Sequence, residues 1–116
     1  MARALLTVQP LAPAGMWPTL TAANATGHMF DNTDPRPTFL LVRNAHTAAV
    51  TVTIPSTFTR DGLPLTSRVV TVPNAADRLI GPILGDNHNQ LSGADAGRTY
   101  IDYSLVTAIT VAVLRA

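Results

Sequence analysis

Apolar and hydroxyl-bearing positions alternate along three separate runs, Val50-Thr51-Val52-Thr53-Ile54, Val69-Val70-Thr71-Val72 and Thr107-Ala108-Ile109-Thr110-Val111-Ala112-Val113. β-Branched residues recur at every second place, and Pro, Gly, Asn or Asp flank each run, which is the pattern of half-buried antiparallel strands. Further strands are expected at Leu5 to Gln9, His28-Met29-Phe30, Asp77-Arg78-Leu79-Ile80 and Arg98 to Tyr103, and the third run belongs to a last strand over Val106 to Leu114. Thr38 to Asn44 is continuously apolar in its middle and suits a central strand. Asn44-Ala45-His46 reads as a tight turn that folds this strand into a hairpin with Thr47 to Ile54. Asp61-Gly62 supplies the positive φ of a second turn, and Pro73-Asn74 stops the strand that begins at Ser67. Short strands at this spacing predict an all-β, single-domain antiparallel β-sandwich of the jelly-roll or immunoglobulin-like kind.

Residues 1–27 read differently from the sandwich domain expected over 28–116. Pro10, Pro13, Gly15 and Pro18 forbid a helix and remove ladder donors, so the segment is an extended arm or an ordered loop. Two readings stand side by side: an N-terminal edge strand plus connection, or an arm that lies on a neighbouring molecule. Leu5, Leu6, Leu11, Met16 and Trp17 are its candidate partner-binding residues, being too many apolar groups to leave in water. Trp17 is either a satellite core residue or an anchor for a partner's pocket. Tyr100 and Tyr103 fall on opposite faces of one strand, so at least one faces outward.

Composition narrows the function more than it names it. The 116 residues suffice for one domain with its own core. All basic residues are Arg and all acidic residues Asp, with a formal net charge of +1. Scattered single arginines at so small a net charge provide no footprint for nucleic acid. Cysteine is absent, which removes disulfides and thiolate metal sites. No apolar run approaches a membrane span, and the start is too short in its apolar run for a secretory signal. The expected setting is the cytoplasm or a particle assembled there.

Catalytic and metal-binding patterns are missing. His28, His46 and His88 are spaced too widely to suggest a zinc site. Asp31-Asn32-Thr33-Asp34 lacks the glycine and remaining ligands of a calcium loop and reads as a series of Asx turns. There is no Gly-x-Ser-x-Gly elbow, no carboxylate pair in a recognisable context and no glycine-rich loop opening a helix. Asn24-Ala25-Thr26 matches a glycosylation sequon, and with no secretory signal expected it reads as an accident of threonine-rich composition. No enzyme, metal or cofactor is expected.

The segments Gly27-His28-Met29-Phe30, Thr38 to Asn44, Val50 to Ile54, Val72-Pro73 with Arg78-Leu79-Ile80-Gly81-Pro82, and Tyr103-Ser104 to Val113-Leu114 resemble a group of small virion proteins from tailed phages and prophages of high-GC bacteria. The resemblance runs from about Ala14 to Leu114 and rests mainly on strand and turn residues. It implies a capsid decoration, or cement, protein on the capsid exterior, with the major capsid protein and copies of itself as partners. A head-tail connector or tail-terminator protein is the alternative within the virion, and a carbohydrate-binding sandwich the alternative outside it. The group brings no catalytic residues to carry over.

Overall fold

The computed structural model describes residues 3–34, 36–56, 59–64, 66–83, 88–91 and 93–115. Their elements are β1 (Ala4–Leu6), β2 (Val8–Pro10), β3 (Thr21–Ala22), β4 (His28–Asp31), β5 (Thr38–Asn44), β6 (Val50–Ile54), β7 (Thr59–Arg60), β8 (Leu63–Pro64), β9 (Arg68–Val72), β10 (Ala76–Ile83), β11 (Arg98–Tyr103) and β12 (Ile109–Arg115). One sheet runs β1-β4-β11-β6-β9, and the second runs β10-β5-β12-β2 with β3 also on β12. The two sheets face each other as a β-sandwich, and β7 and β8 form a separate small hairpin.

The alternation of each strand builds the core. Leu40 and Val42 of β5, Val50, Val52 and Ile54 of β6, and Ile109, Val111 and Val113 of β12 all point inward, with Phe30 and Ile101 between them. The residues between these positions face outward, as a period of two requires. Such valine and isoleucine side chains each contribute roughly 1.5–3 kcal/mol on full burial.

Buried side-chain polar groups of the described strands are paired, with the exception of Arg115 Nε. The Asn32 amide donates to Thr99 Oγ1 at 3.1 Å and to the Ile83 carbonyl at 3.3 Å, and accepts from Thr38 Oγ1 at 3.2 Å. That network links three strands across the two sheets. The expected Asx turns are present: Thr33 N–H donates to Asp31 Oδ1, and Arg36 N–H to Asp34 Oδ1. Hydrogen bonds from Arg36 hold the Asp34 carboxyl down at about 2.

One expected hairpin does not form. β5 pairs with β10 and β12, whereas β6 pairs with β11 and β9, so Asn44-Ala45-His46 carries the chain from one sheet to the other. Asn44 itself is buried and directs the crossing. Its Nδ2 donates to the carbonyls of Ala48 (2.9 Å), Val72 (3.1 Å) and Pro73 (3.2 Å), while its Oδ1 accepts the His46 N–H at 2.9 Å. A hairpin does form at Asp61-Gly62, where φ values of 53° and 78° match a two-residue turn with both central residues left-handed.

The N-terminal segment divides between edge and surface. β1 pairs in parallel with β4 and β2 in parallel with β12, so Thr7 alone separates a strand of one sheet from a strand of the other. The strand-to-strand core of each sheet is antiparallel, and these additions make both sheets mixed. Leu11 N–H still donates to the Arg115 carbonyl at 2.9 Å, after which the chain leaves the ladder, turns at Gly15 and returns as β3. Between β10 and β11, residues 84–87 and 92 lie outside the described residues.

Candidate interaction surface

Strand register defines the outer face of the second sheet. Because Val42, Leu40, Val111 and Val113 face the core, their neighbours Phe39, Leu41 and Arg43 on β5, Asp77 and Leu79 on β10, and Thr110 on β12 face away. Leu79 sits directly opposite Leu41 and is 60% exposed. Phe39 lies against Gly81, where a Cβ would meet the ring, so the aromatic side chain covers the strand instead of standing on it. Asp77 sits opposite Arg43, and the Arg43 Nε reaches its carboxylate at 3.3 Å. Both ends of this ion pair are about half exposed, so it orients more than it stabilises.

Trp17 joins this face from the loop over 11–20. Its ring centroid lies 5.8 Å from the Arg43 guanidinium carbon, a cation–π arrangement, yet the residue is 70% exposed. The loop is pinned by the Gln9 side chain, which acts as a substitute strand. Its Nε2 donates to the Thr19 carbonyl and its Oε1 accepts the Thr19 N–H, each at 2.9 Å. Gly15, at φ 93°, donates its N–H to the Ala12 carbonyl and supplies the turn between the prolines. A shallow depression of about 550 Å³ lies beside Arg43 and is lined by Asn44, Ala75, Asp77 and Thr110.

The five candidate partner-binding residues therefore go to three places. Leu11, Met16 and Trp17 are exposed in the same loop. Leu5, also exposed, lies opposite Met29 on the outer face of the first sheet. Leu6 is 5% exposed and packs in the core with Phe30, so it is a structural residue of the sandwich. Leu79, Leu41, Arg43 and Asp77 were absent from the candidates. The alternation of Asp77-Arg78-Leu79-Ile80 carried the signal for Leu79, because an inward Ile80 sends its neighbour out.

The outer face of the first sheet carries a polar cluster instead. Arg3 places its guanidinium carbon 4.1 Å from the Tyr100 ring centroid, pairs with Asp102 and donates to the Ile101 carbonyl. Tyr100 Oη donates to Asp95, and that hydrogen bond raises the phenol's pKa. Tyr103 points the other way, as the spacing requires, and meets His28 edge-on with Oη 2.7 Å from Nδ1. Burial pushes the His28 imidazole down and the Tyr103 phenol up, so both are held neutral.

His88 lies apart from His28, with its Nδ1 3.3 Å from the Pro55 carbonyl, and His46 Nδ1 accepts the Ala48 N–H. Among the described residues no three His, Asp, Glu or Cys side chains converge on a metal position. No described helix is long and apolar enough to cross a membrane. Comparison with protein-family models, curated proteins and solved structures finds no match to the chain.

Proposed function

We propose that this chain is a virion structural protein that decorates the outside of a phage capsid, with the Trp17 loop and the adjoining sheet face as its adhesive surface. The observation that carries the reading is the exposed Trp17, held on a proline-braced, hydrogen-bonded loop over Arg43, on the sheet face that also carries Asp77 and Leu79. A preorganised aromatic residue loses little entropy on docking, and tryptophan is over-represented among interface hot spots. The resemblance to small tailed-phage proteins supplies the partner class, the major capsid protein. A surface without lysine or glutamate adds to the case, because fewer long side chains must be immobilised when it is covered.

Binding of the purified chain to undecorated shells tests this directly. Trp17→Ala is expected to weaken binding by ~2 kcal/mol, roughly 30-fold, while leaving the folded domain intact. Binding is also expected to persist at salt concentrations that weaken nucleic-acid binders by ~10³-fold, since the contact is apolar. A quantitative gel of purified particles separates decoration, at tens to hundreds of copies, from a connector forming one closed ring. Undiminished binding of Trp17→Ala would refute the assigned surface, and no binding to shells would refute the decoration role.

A further inference from the structure

We infer that the free edge of β9 is a docking site for β9 of a second copy of this chain, giving a two-fold dimer with one continuous ten-stranded sheet. The observation is independent of the capsid reading, since β9 belongs to the sheet that does not carry the Arg43–Leu79 face.

Backbone direction identifies the groups on that edge. Thr51 uses both its N–H and its C=O toward Ser104, on the β11 side of β6. Successive residues of a strand point their peptide groups to opposite sides, so Val50, Val52 and Ile54 face β9. Their partners Val72, Val70 and Arg68 face back, which leaves the N–H and C=O of Val69 and Thr71 on the open side. Both residues are exposed, Val69 at 59%.

The other edges are blunted by recognisable devices. β1 is only three residues long. β2 ends at Pro10, and the Gln9 side chain engages the returning chain at Thr19. On β10, by the same alternation from Ala45 N–H to the Ala108 carbonyl, the open groups belong to Asp77, Leu79 and Gly81. There Arg78 Nη1 donates to the Asp77 carbonyl at 2.8 Å, and register is lost between Ile80 and Ile83, where Pro82 lies. Among the described residues β9 has no such guard over Val69-Val70-Thr71-Val72.

Self-pairing about Val70 uses every open group of Val69 and Thr71. An antiparallel β9 pair centred there sets Val69 opposite the partner's Thr71 and Thr71 opposite the partner's Val69. All four open groups of each copy are then used, in four hydrogen bonds. Moving the centre to Thr71 would bring Val69 opposite the partner's Pro73, which has no N–H to give. In the Val70 register Arg68 falls opposite the partner's Val72, so no like charges meet, and β-branched residues oppose one another.

Sedimentation of the full chain is expected to give twice the 12.2 kDa of one copy. Thr71→Pro removes one open-side N–H at a position where an edge strand tolerates proline, and is expected to yield a monomer with an unchanged circular dichroism spectrum. Leu79→Lys, on the guarded edge, is expected to remain a dimer. Hydrogen exchange of the unmodified chain gives an independent reading. The amides of Val69 and Thr71 should exchange ~100-fold more slowly than those of Asp77 and Leu79, because only the former are paired in the dimer. If Thr71→Pro fails to fold, this comparison decides alone. A monomeric full chain, a dimer that survives in folded Thr71→Pro, or equal exchange at the two edges would each overturn the inference.

Discussion

Replacing Asn44 should loosen the passage between the sheets at a predictable cost. Its amide has four partners, the two Nδ2 protons being shared among the carbonyls of Ala48, Val72 and Pro73 while Oδ1 accepts from His46, and the side chain is almost wholly buried. A net contribution of about 1 kcal/mol per bond applies to each. Only the bond to Val72 is fully buried, and the others are discounted because water can partly replace them. Asn44→Ala is thus expected to destabilise the domain by about 2–4 kcal/mol, and at about 4 °C per kcal/mol for a domain of this size the melting temperature falls by about 8–16 °C. Asn44→Asp is nearly isosteric and sharpens the test. It turns the donor into a carboxylate aimed at three carbonyl oxygens, so its cost at neutral pH should equal or exceed that of alanine. The deficit should shrink as pH falls, because protonation restores one donor. Urea denaturation of the three proteins at neutral and mildly acidic pH measures both effects. A loss below about 1 kcal/mol for alanine, or an aspartate variant as stable as the parent at neutral pH, would show that the amide does not hold the crossing.

Leu6→Ala should cost about 2–4 kcal/mol in chemical denaturation, as a buried leucine truncation does, while Leu5→Ala should stay within about 0.5 kcal/mol. His28 and His88 are both held below their ordinary value by burial, so the native state disfavours their protonation. Their contribution to stability is complete above the unfolded pKa of about 6.5 and is lost as pH falls through the lower folded values. Unfolding midpoints measured from neutral to mildly acidic pH should therefore decline, and a flat profile would contradict neutral buried histidines. Arg3→Ala removes the contacts to Tyr100, Asp102 and the Ile101 carbonyl together, and faster amide exchange across β1 is the expected readout.

The strands were largely legible because a period of two is a local property. β5 and β11 begin and end where the residue pattern places them, and β4, β6 and β9 depart by a residue or a few. Pairing was not legible in the same way. Asn44-Ala45-His46 has turn chemistry whether the chain doubles back or crosses to the facing sheet, and only distant Val72 and Pro73 distinguish the two. The parallel ladders of β1 and β2 likewise carry no local signature, since their partners lie far along the chain. This is why Leu5 and Leu6, adjacent and chemically identical, looked alike as partner-binding candidates. Alternation separates them, but which one enters the core depends on the sheet that receives β1. The loop residues Leu11, Met16 and Trp17 lie outside the ladders, so no such reversal affects them.

The parallel run of β2 beside β12 also sets how the molecule bears load. Tension applied through the two chain ends pulls β2 backward and β12 forward along the same line. The hydrogen bonds between them are then sheared together instead of being peeled open one after another. Hauling on the ends must slide Val8-Gln9-Pro10 past Val113-Leu114-Arg115 before the sandwich can open from this side.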